Sequence, residues 1–159
     1  MWDRLLLAVD QSEAGQAALS LAVGLTEPGR SSVVVLHVRE RPSSLRVPPL
    51  ESMDEASGLA DEAVAALNRH GTTAWAVVRS AGQHRVADVI ASEARAWSCD
   101  AIVLGSTRLR GLHRLNGSGI RERLVRRSAL PVLLAPAALH LRTRLPTGPA
   151  RGHHFLDHH

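Results

Sequence analysis

Short, unbroken apolar runs punctuate this chain: Leu5-Leu6-Leu7-Ala8-Val9, Val33-Val34-Val35-Leu36-His37-Val38, Ala101-Ile102-Val103-Leu104 and Val132-Leu133-Leu134. Each is too short for a helix interior, and all are nearly continuous rather than alternating with polar residues. That pattern marks strands covered on both faces, as in a parallel sheet flanked by helices. A fifth, weaker run spans Thr73 to Val78. The intervening stretches have helical spacing. Ser12 is a natural N-cap for a stretch reaching Leu25, and Pro28-Gly29 ends it. A second helix is predicted over about 52–68, with Leu59, Ala63 and Leu67 on one face. A third spans about 85–97, with Val86, Val89, Ile90 and Trp97 on one stripe. A fourth covers about 120–128, with Ile120, Leu124 and Val125 inward.

Strands that alternate with helices require crossover connections, which are right-handed. The expected fold is therefore α/β: a doubly wound, five-stranded parallel sheet with helices on both faces. Ligands of such sheets sit beyond the carboxyl ends of the strands, where the strand order reverses. That rule directs attention to the residues after the strands, here expected to be Asp10, Arg39, Arg79 and Gly105. The Pro- and Ser-containing stretch from Arg39 to Pro49 reads as a loop. The segment 137–159, with its Pro, Arg and His, reads as a mobile tail on a single domain of residues 1–136.

Composition narrows the function. A chain of 159 residues with 45% apolar content can build one core. No apolar run approaches the length of a membrane span, and no signal peptide is visible, so a cytoplasmic protein is expected. The single cysteine, Cys99, cannot form an internal disulfide and reads as a small, partly buried residue. Every basic side chain is Arg, and the net charge is +4. With an aromatic fraction of 3%, the chain lacks the basic-plus-aromatic surface typical of nucleic-acid binders. The Arg108–Arg127 stretch is locally basic and suits an acidic ligand or protein partner.

The segment with most chemical content is Gly105-Ser-Thr-Arg108-Leu-Arg-Gly111, followed by Gly117-Ser118-Gly119 and then Ile120, which opens the fourth helix. Glycines let backbone N–H groups converge on one point, and a helix N-terminus adds unpaired donors and a positive dipole end. Together they suit an anion, most often a phosphate. The alternative is a loop that simply turns the chain. It is not a Walker A loop, because no Lys follows the glycines. A receiver-type phosphoacceptor role for Asp10 lacks its acidic neighbours and its Lys. His37 reads as a satisfied sheet residue, and His84 and His113 as exposed loop residues. The histidines at 153, 154, 158 and 159 could bind a transition metal only adventitiously. No Ser, His and acid set at recognisable spacing suggests a catalytic centre.

From Leu5 to about Pro136 the chain resembles the universal stress protein family. The resemblance rests on Leu6-Leu-Ala-Val-Asp10-Gln-Ser12-Glu, on Val35-Leu-His-Val38, on Asp100-Ala-Ile-Val-Leu-Gly105-Ser, and on Leu124-Val-Arg-Arg-Ser128-Ala-Leu-Pro131-Val-Leu. It implies the strand order 3-2-1-4-5 and a homodimer through the last strand. ATP-binding members carry G-x-x-G, nine residues, then G-[S/T]. Here Gly105 matches, Arg108 replaces the second glycine, and Gly117-Ser118 stands one position early, ahead of Gly119. The resemblance also places Asp10 near the adenosine part of a ligand, the Val38 backbone at the adenine ring, Ala8, Val9 and Leu104 along the cleft, and Ile120 beside the phosphates. Arg108 could pair with phosphate oxygens as a charged fork, or fill their space. The implied function is an ATP-binding, stress-response regulatory dimer, with magnesium on the phosphates. A dimeric interaction protein with a vestigial site, and a weak ATPase, are the competing readings.

Overall fold

The computed structural model describes residues 2–42, 48, 51–106 and 119–136. Elements follow one another as β1 (Arg4–Val9), α1 (Glu13–Leu25), β2 (Ser32–Arg41), α2 (Met53–Arg69), β3 (Thr73–Gly82), α3 (Val86–Ala96), β4 (Ala101–Ser106), α4 (Ile120–Arg127) and β5 (Val132–Pro136), with a single 3₁₀ turn at Gln83–Arg85 before α3. All strand pairings are parallel, and the sheet order is β3-β2-β1-β4-β5. The expected doubly wound architecture is present.

Two apolar layers sandwich the sheet. Leu5, Leu7, Val33, Val35, Ala101 and Val103 face α1 and α2, meeting Ala17, Ala18, Ala22, Ala60, Ala63 and Leu67. Leu6, Val34, Leu36, Ile102 and Leu104 face α3 and α4, meeting Val86, Ile90, Ala94 and Leu124. The continuous apolar runs thus feed both layers by simple alternation. Small residues on α1 let it lie close to the sheet, while larger side chains fill the opposite layer. The side chain of Asp100 locks the amino edge, accepting the amides of Asp3 (2.9 Å) and Arg4 (2.7 Å). Both α1 and α2 begin on serine caps. Ser12 accepts from the Gly15 amide, and Ser52 forms a reciprocal capping box with Glu55. Those cap bonds to Ser52 hold the Glu55 carboxyl below its ordinary value. No helix among the described residues is long and apolar enough to cross a membrane.

Four positions depart from expectation. Strands β2 and β3 run on through Arg41 and Gly82, so Arg39 and Arg79 lie within strands rather than after them, and Gly105 lies inside β4. The strands pair with each other to their very ends, Arg39 opposite Ser80 and Arg41 opposite Gly82, and this ladder overrides the Pro-rich signal that follows. On α4, Val125 is 56% exposed instead of inward. An eight-residue helix offers the sheet one stripe, and Leu124 occupies it as the helix's sole buried residue. Leu59 of α2 and Val89 of α3 are likewise only partly buried against the core. The tail 137–159 and most of the loop before α2 lie outside the described residues.

Because one side chain seats α4, Leu124→Ala should cost about 2–5 kcal/mol in denaturant unfolding, whereas Val125→Ala should stay within about 0.5 kcal/mol of the parent. Equal losses would show that α4 is held by both faces.

Candidate functional site

At the carboxyl edge of the sheet, β1 and β4 diverge into connections on opposite faces, and a cleft of about 310 Å³ opens there. Its walls are apolar: Ala8, Leu36, Val38, Val86, Ile90 and Leu104. Polar side chains also border it, Asp10 and Glu40 from the carboxyl ends of β1 and β2 and Arg121 from the first turn of α4, where Gly119 and Ile120 complete the lining. An apolar slot with a few convergent polar groups is the form small-molecule sites take.

The start of α1 forms the wall between these groups, and two glycines fix its place. A Cβ on Gly15 would collide with the Asp10 carbonyl and stand 2.6 Å from Asp10 Oδ1. A Cβ on Gly105 would strike the Ala14 carbonyl and stand 2.7 Å from the Ala14 side chain. Gly105 is therefore where α1 presses on β4, a packing role that holds whether or not a ligand is present. The Asp10 turn is tied internally as well. The Ser12 amide (3.0 Å) and the Ser12 hydroxyl both donate to Asp10 Oδ1. The carboxylate is exposed at the rim, with one oxygen so occupied.

The structure brings together eight of the residues singled out from sequence: Ala8, Val9, Asp10, Val38, Leu104, Gly105, Gly119 and Ile120 all border this cleft. Arg108, Gly117 and Ser118 lie outside the described residues. Gly119 is the N-cap residue of α4 and supplies no side-chain cap. Arg39 and Arg79 turn elsewhere: Arg79 forms a double contact to Glu93 of α3 at 2.6 and 3.2 Å, and Arg39 donates to the Glu51 carbonyl at 2.6 Å. Sequence reasoning missed Gly15, Glu40, Val86 and Ile90 as cleft residues. The last two were visible as an α3 stripe, and only the crossover direction shows that the stripe ends in the cleft.

His37 is a satisfied sheet residue, as expected. Its ring is buried between the Val9 carbonyl, 2.9 Å from Nδ1, and Glu51 Oε2, 2.7 Å from Nε2. Cys99 is buried, and that burial pushes its thiol up to about 11. Thiolate is scarce at neutral pH under those conditions. Among the described residues no group of three His, Cys, Asp or Glu side chains could hold a metal ion.

Two measurements check this geometry. Gly105→Ala should destabilise the ligand-free protein by about 1–3 kcal/mol, because the new methyl must displace α1 backbone; a neutral result in denaturant titration would show that α1 yields freely. Cys99 should resist a thiol-reactive disulfide reagent at pH 8 and react only on addition of denaturant. Rapid labelling of the native protein would show an open thiol.

The sequence matches the universal stress protein family over residues 1–136. None of the curated protein sequences matches it. Solved structures do. The hypothetical protein MJ0577 superposes with a TM-score of 0.69 at 20% identity, covering 86% of this chain and 96% of its own. A universal stress protein in complex with cAMP gives 0.63 at 19% identity, over 84% and 96%. The universal stress protein from Archaeoglobus fulgidus in complex with dAMP gives 0.58 at 21%, over 84% and 97%. At such identities the likeness speaks for the fold; the match over 1–136 speaks for descent. Together with a sheet ordered 3-2-1-4-5, it identifies this chain as a member of the universal stress protein family.

Proposed function

We propose that this protein binds an adenine nucleotide in the cleft at the carboxyl edge of its sheet, and that it works as a ligand-responsive regulatory protein rather than as an enzyme with turnover. The observation that carries this reading is the polarity of the cleft. One end is a slot walled by Ala8, Leu36, Val38, Val86, Ile90 and Leu104, suited to a flat base. The Asp10 carboxylate stands exposed at the rim, where it could accept a ribose hydroxyl. The far end is the first turn of α4, where the helix dipole favours a phosphate. The backbone of Val38 lies beside the slot and could supply hydrogen bonds to the base edge.

Two solved structures of the same fold are complexes with cAMP and dAMP, which supports an adenine ligand as a class. ATP is the specific ligand proposed, with magnesium carried on its phosphates and Arg108 pairing with phosphate oxygens in place of the usual glycine. Titration calorimetry with ATP and magnesium, beside AMP and cAMP, tests this. Micromolar affinity is expected, and a hundredfold excess over Kd should raise the unfolding free energy by about 2.7 kcal/mol. No heat and no thermal shift with any adenine nucleotide would overturn the reading. Arg108→Gly should weaken ATP by roughly tenfold, the worth of one charged hydrogen-bond pair; unchanged affinity would make the residue peripheral.

A second copy of the chain is the partner proposed for β5. Among the described residues that strand pairs only with β4, and no other described strand lies along its outer edge. Leu134 is 42% exposed and Val125 56% exposed beside it, with Arg121, Glu122 and Arg126 around a shallow groove. An open edge flanked by apolar side chains is a template for pairing with another strand. Leu134→Arg should shift the protein to monomer in sedimentation velocity. A wild type that sediments as a monomer at all concentrations would sink the proposal.

A further inference from the structure

Next to the cleft, which His37 also borders, the carboxyl edge of the sheet has a second, partly buried polar cluster. It consists of His37 and Arg39 on β2, Ser80 on β3, and Glu51 just before α2. The His37 side chain is 8% exposed and that of Glu51 17% exposed. Arg39 adds a bond from Nη2 to the Glu51 carbonyl at 2.6 Å and a long one from Nη1 to Ser80 Oγ at 3.4 Å. Glu51 Oε1 and Arg39 Nε are buried without a partner.

The protonation of this cluster follows from donor and acceptor counting. A backbone carbonyl can only accept, so His37 Nδ1, facing Val9 O at 2.9 Å, must carry a hydrogen. In a neutral ring Nε2 would then be a bare acceptor. It lies 2.7 Å from Glu51 Oε2, which is also an acceptor when the carboxyl is ionised. Two bare acceptors do not sit at that distance, so a proton lies between them. The pair is either imidazolium with carboxylate or imidazole with carboxylic acid. Arg39, the cation held against Glu51, favours the first.

We propose that His37 and Glu51 share one proton and form a strut that positions the Asp10 turn, and through it the ribose side of the cleft. The chain of contact is short. Glu51 holds Nε2, Nδ1 holds the Val9 carbonyl, and Val9 is the last residue of β1 before Asp10. Beyond it, Gly15 presses on the Asp10 carbonyl, so the turn is clamped from both sides. Glu51 itself is anchored by the Ser52 capping box at the start of α2. The strut therefore ties the helix on one face of the sheet to a residue that borders the ligand site on the other. His37 is a positioning residue in this scheme and touches no ligand through its ring nitrogens.

The test compares wild type with Glu51→Gln and Glu51→Ala, after cooperative thermal unfolding has shown each variant to be folded. Nitrogen-15 spectra of His37 in ligand-free wild type should show Nε2 protonated, with Nε2 becoming a bare acceptor in Glu51→Gln, whose amide can donate to it. Amide exchange at Asp10 and Ser12 should quicken at least ~tenfold in Glu51→Ala and return to near the wild-type rate in Glu51→Gln. A bare Nε2 in wild type, with the carbon-13 shift of the Glu51 carboxyl showing it ionised, overturns the shared proton. Unchanged exchange in Glu51→Ala, or no rescue by Gln, overturns the strut. The expected effect on ligand rests on the nucleotide reading above: ATP affinity should fall ~tenfold in Glu51→Ala and recover in Glu51→Gln. Should wild type bind no nucleotide, that reading fails alone, and the exchange data, taken without ligand, still decide for or against the strut.

Discussion

The geometry of this molecule depends on how closely the first turn of α1 approaches the sheet. Gly105 of β4 has no side chain where the Ala14 carbonyl lies, and Gly15 has none where the Asp10 carbonyl lies. These two missing methyl groups let a helix start between two strand ends. In a doubly wound sheet the central strands diverge at that point, and any added volume would push α1 outward and open the cleft. Backbone against backbone cannot be relieved by a rotamer change, so the constraint is stiffer than side-chain packing of similar size. The cleft is thus a consequence of packing, and its width is set before any ligand arrives.

The two layers beside the sheet are built differently, and the difference decides where the cleft lies. The α1 and α2 side is filled chiefly by alanines from the helices, which bring them down close against Leu5, Leu7, Val33 and Val35. The α3 and α4 side uses Val86, Ile90 and Leu124 against Leu6, Val34, Leu36 and Ile102. Larger side chains hold the helices farther off, and at the carboxyl edge that spacing is left open as the slot. The seat of α4 is narrow, since Leu124 alone is fully covered. A short helix with one buried anchor, whose first turn borders the cleft, is the described element best placed to move if the proposed ligand binds. Its exposed neighbours Val125 and Leu134 lie on the surface proposed to meet a second copy, so a shift of α4 would be felt there.

Much of this was legible in the sequence because burial on both faces leaves so plain a mark. The runs at Leu5–Val9 and Ala101–Leu104 have few polar residues because each alternate side chain enters one of two cores. Third-strand residues gave a weaker signal for a physical reason: β3 is an edge strand, with Trp75 39% exposed and Arg79 turned out to Glu93. Strand ends were misjudged at Arg39 and Arg79 because ladder pairing between β2 and β3 outlasts the apolar pattern. Val125 misled because helical periodicity identifies a stripe about two residues wide, and an eight-residue helix seated by one leucine buries only half of it. Eight cleft residues could be placed by the family resemblance, since they sit at strand ends and a helix start. Gly15 and Glu51 could not, because their roles arise from approach across the chain: one through a carbonyl five residues back, the other through a histidine on a different element.

His37 shows how a polar side chain can belong to a core without loosening it. It interrupts the apolar run Val33–Val38 of β2, where a bare imidazole would cost as much as any unpaired buried polar group. Both nitrogens are instead engaged, one by the last carbonyl of β1 and one by Glu51. A leucine there would pack as well and would leave the Val9 carbonyl without that donor at the brink of the cleft. The histidine therefore has a directional role that hydrophobic burial cannot supply: it binds the end of one strand to the start of a helix on the far side of a loop. Apolar contacts set the distance between layers in this fold, but they are indifferent to small slides along the sheet. Hydrogen bonds at its carboxyl edge remove that freedom where the cleft begins.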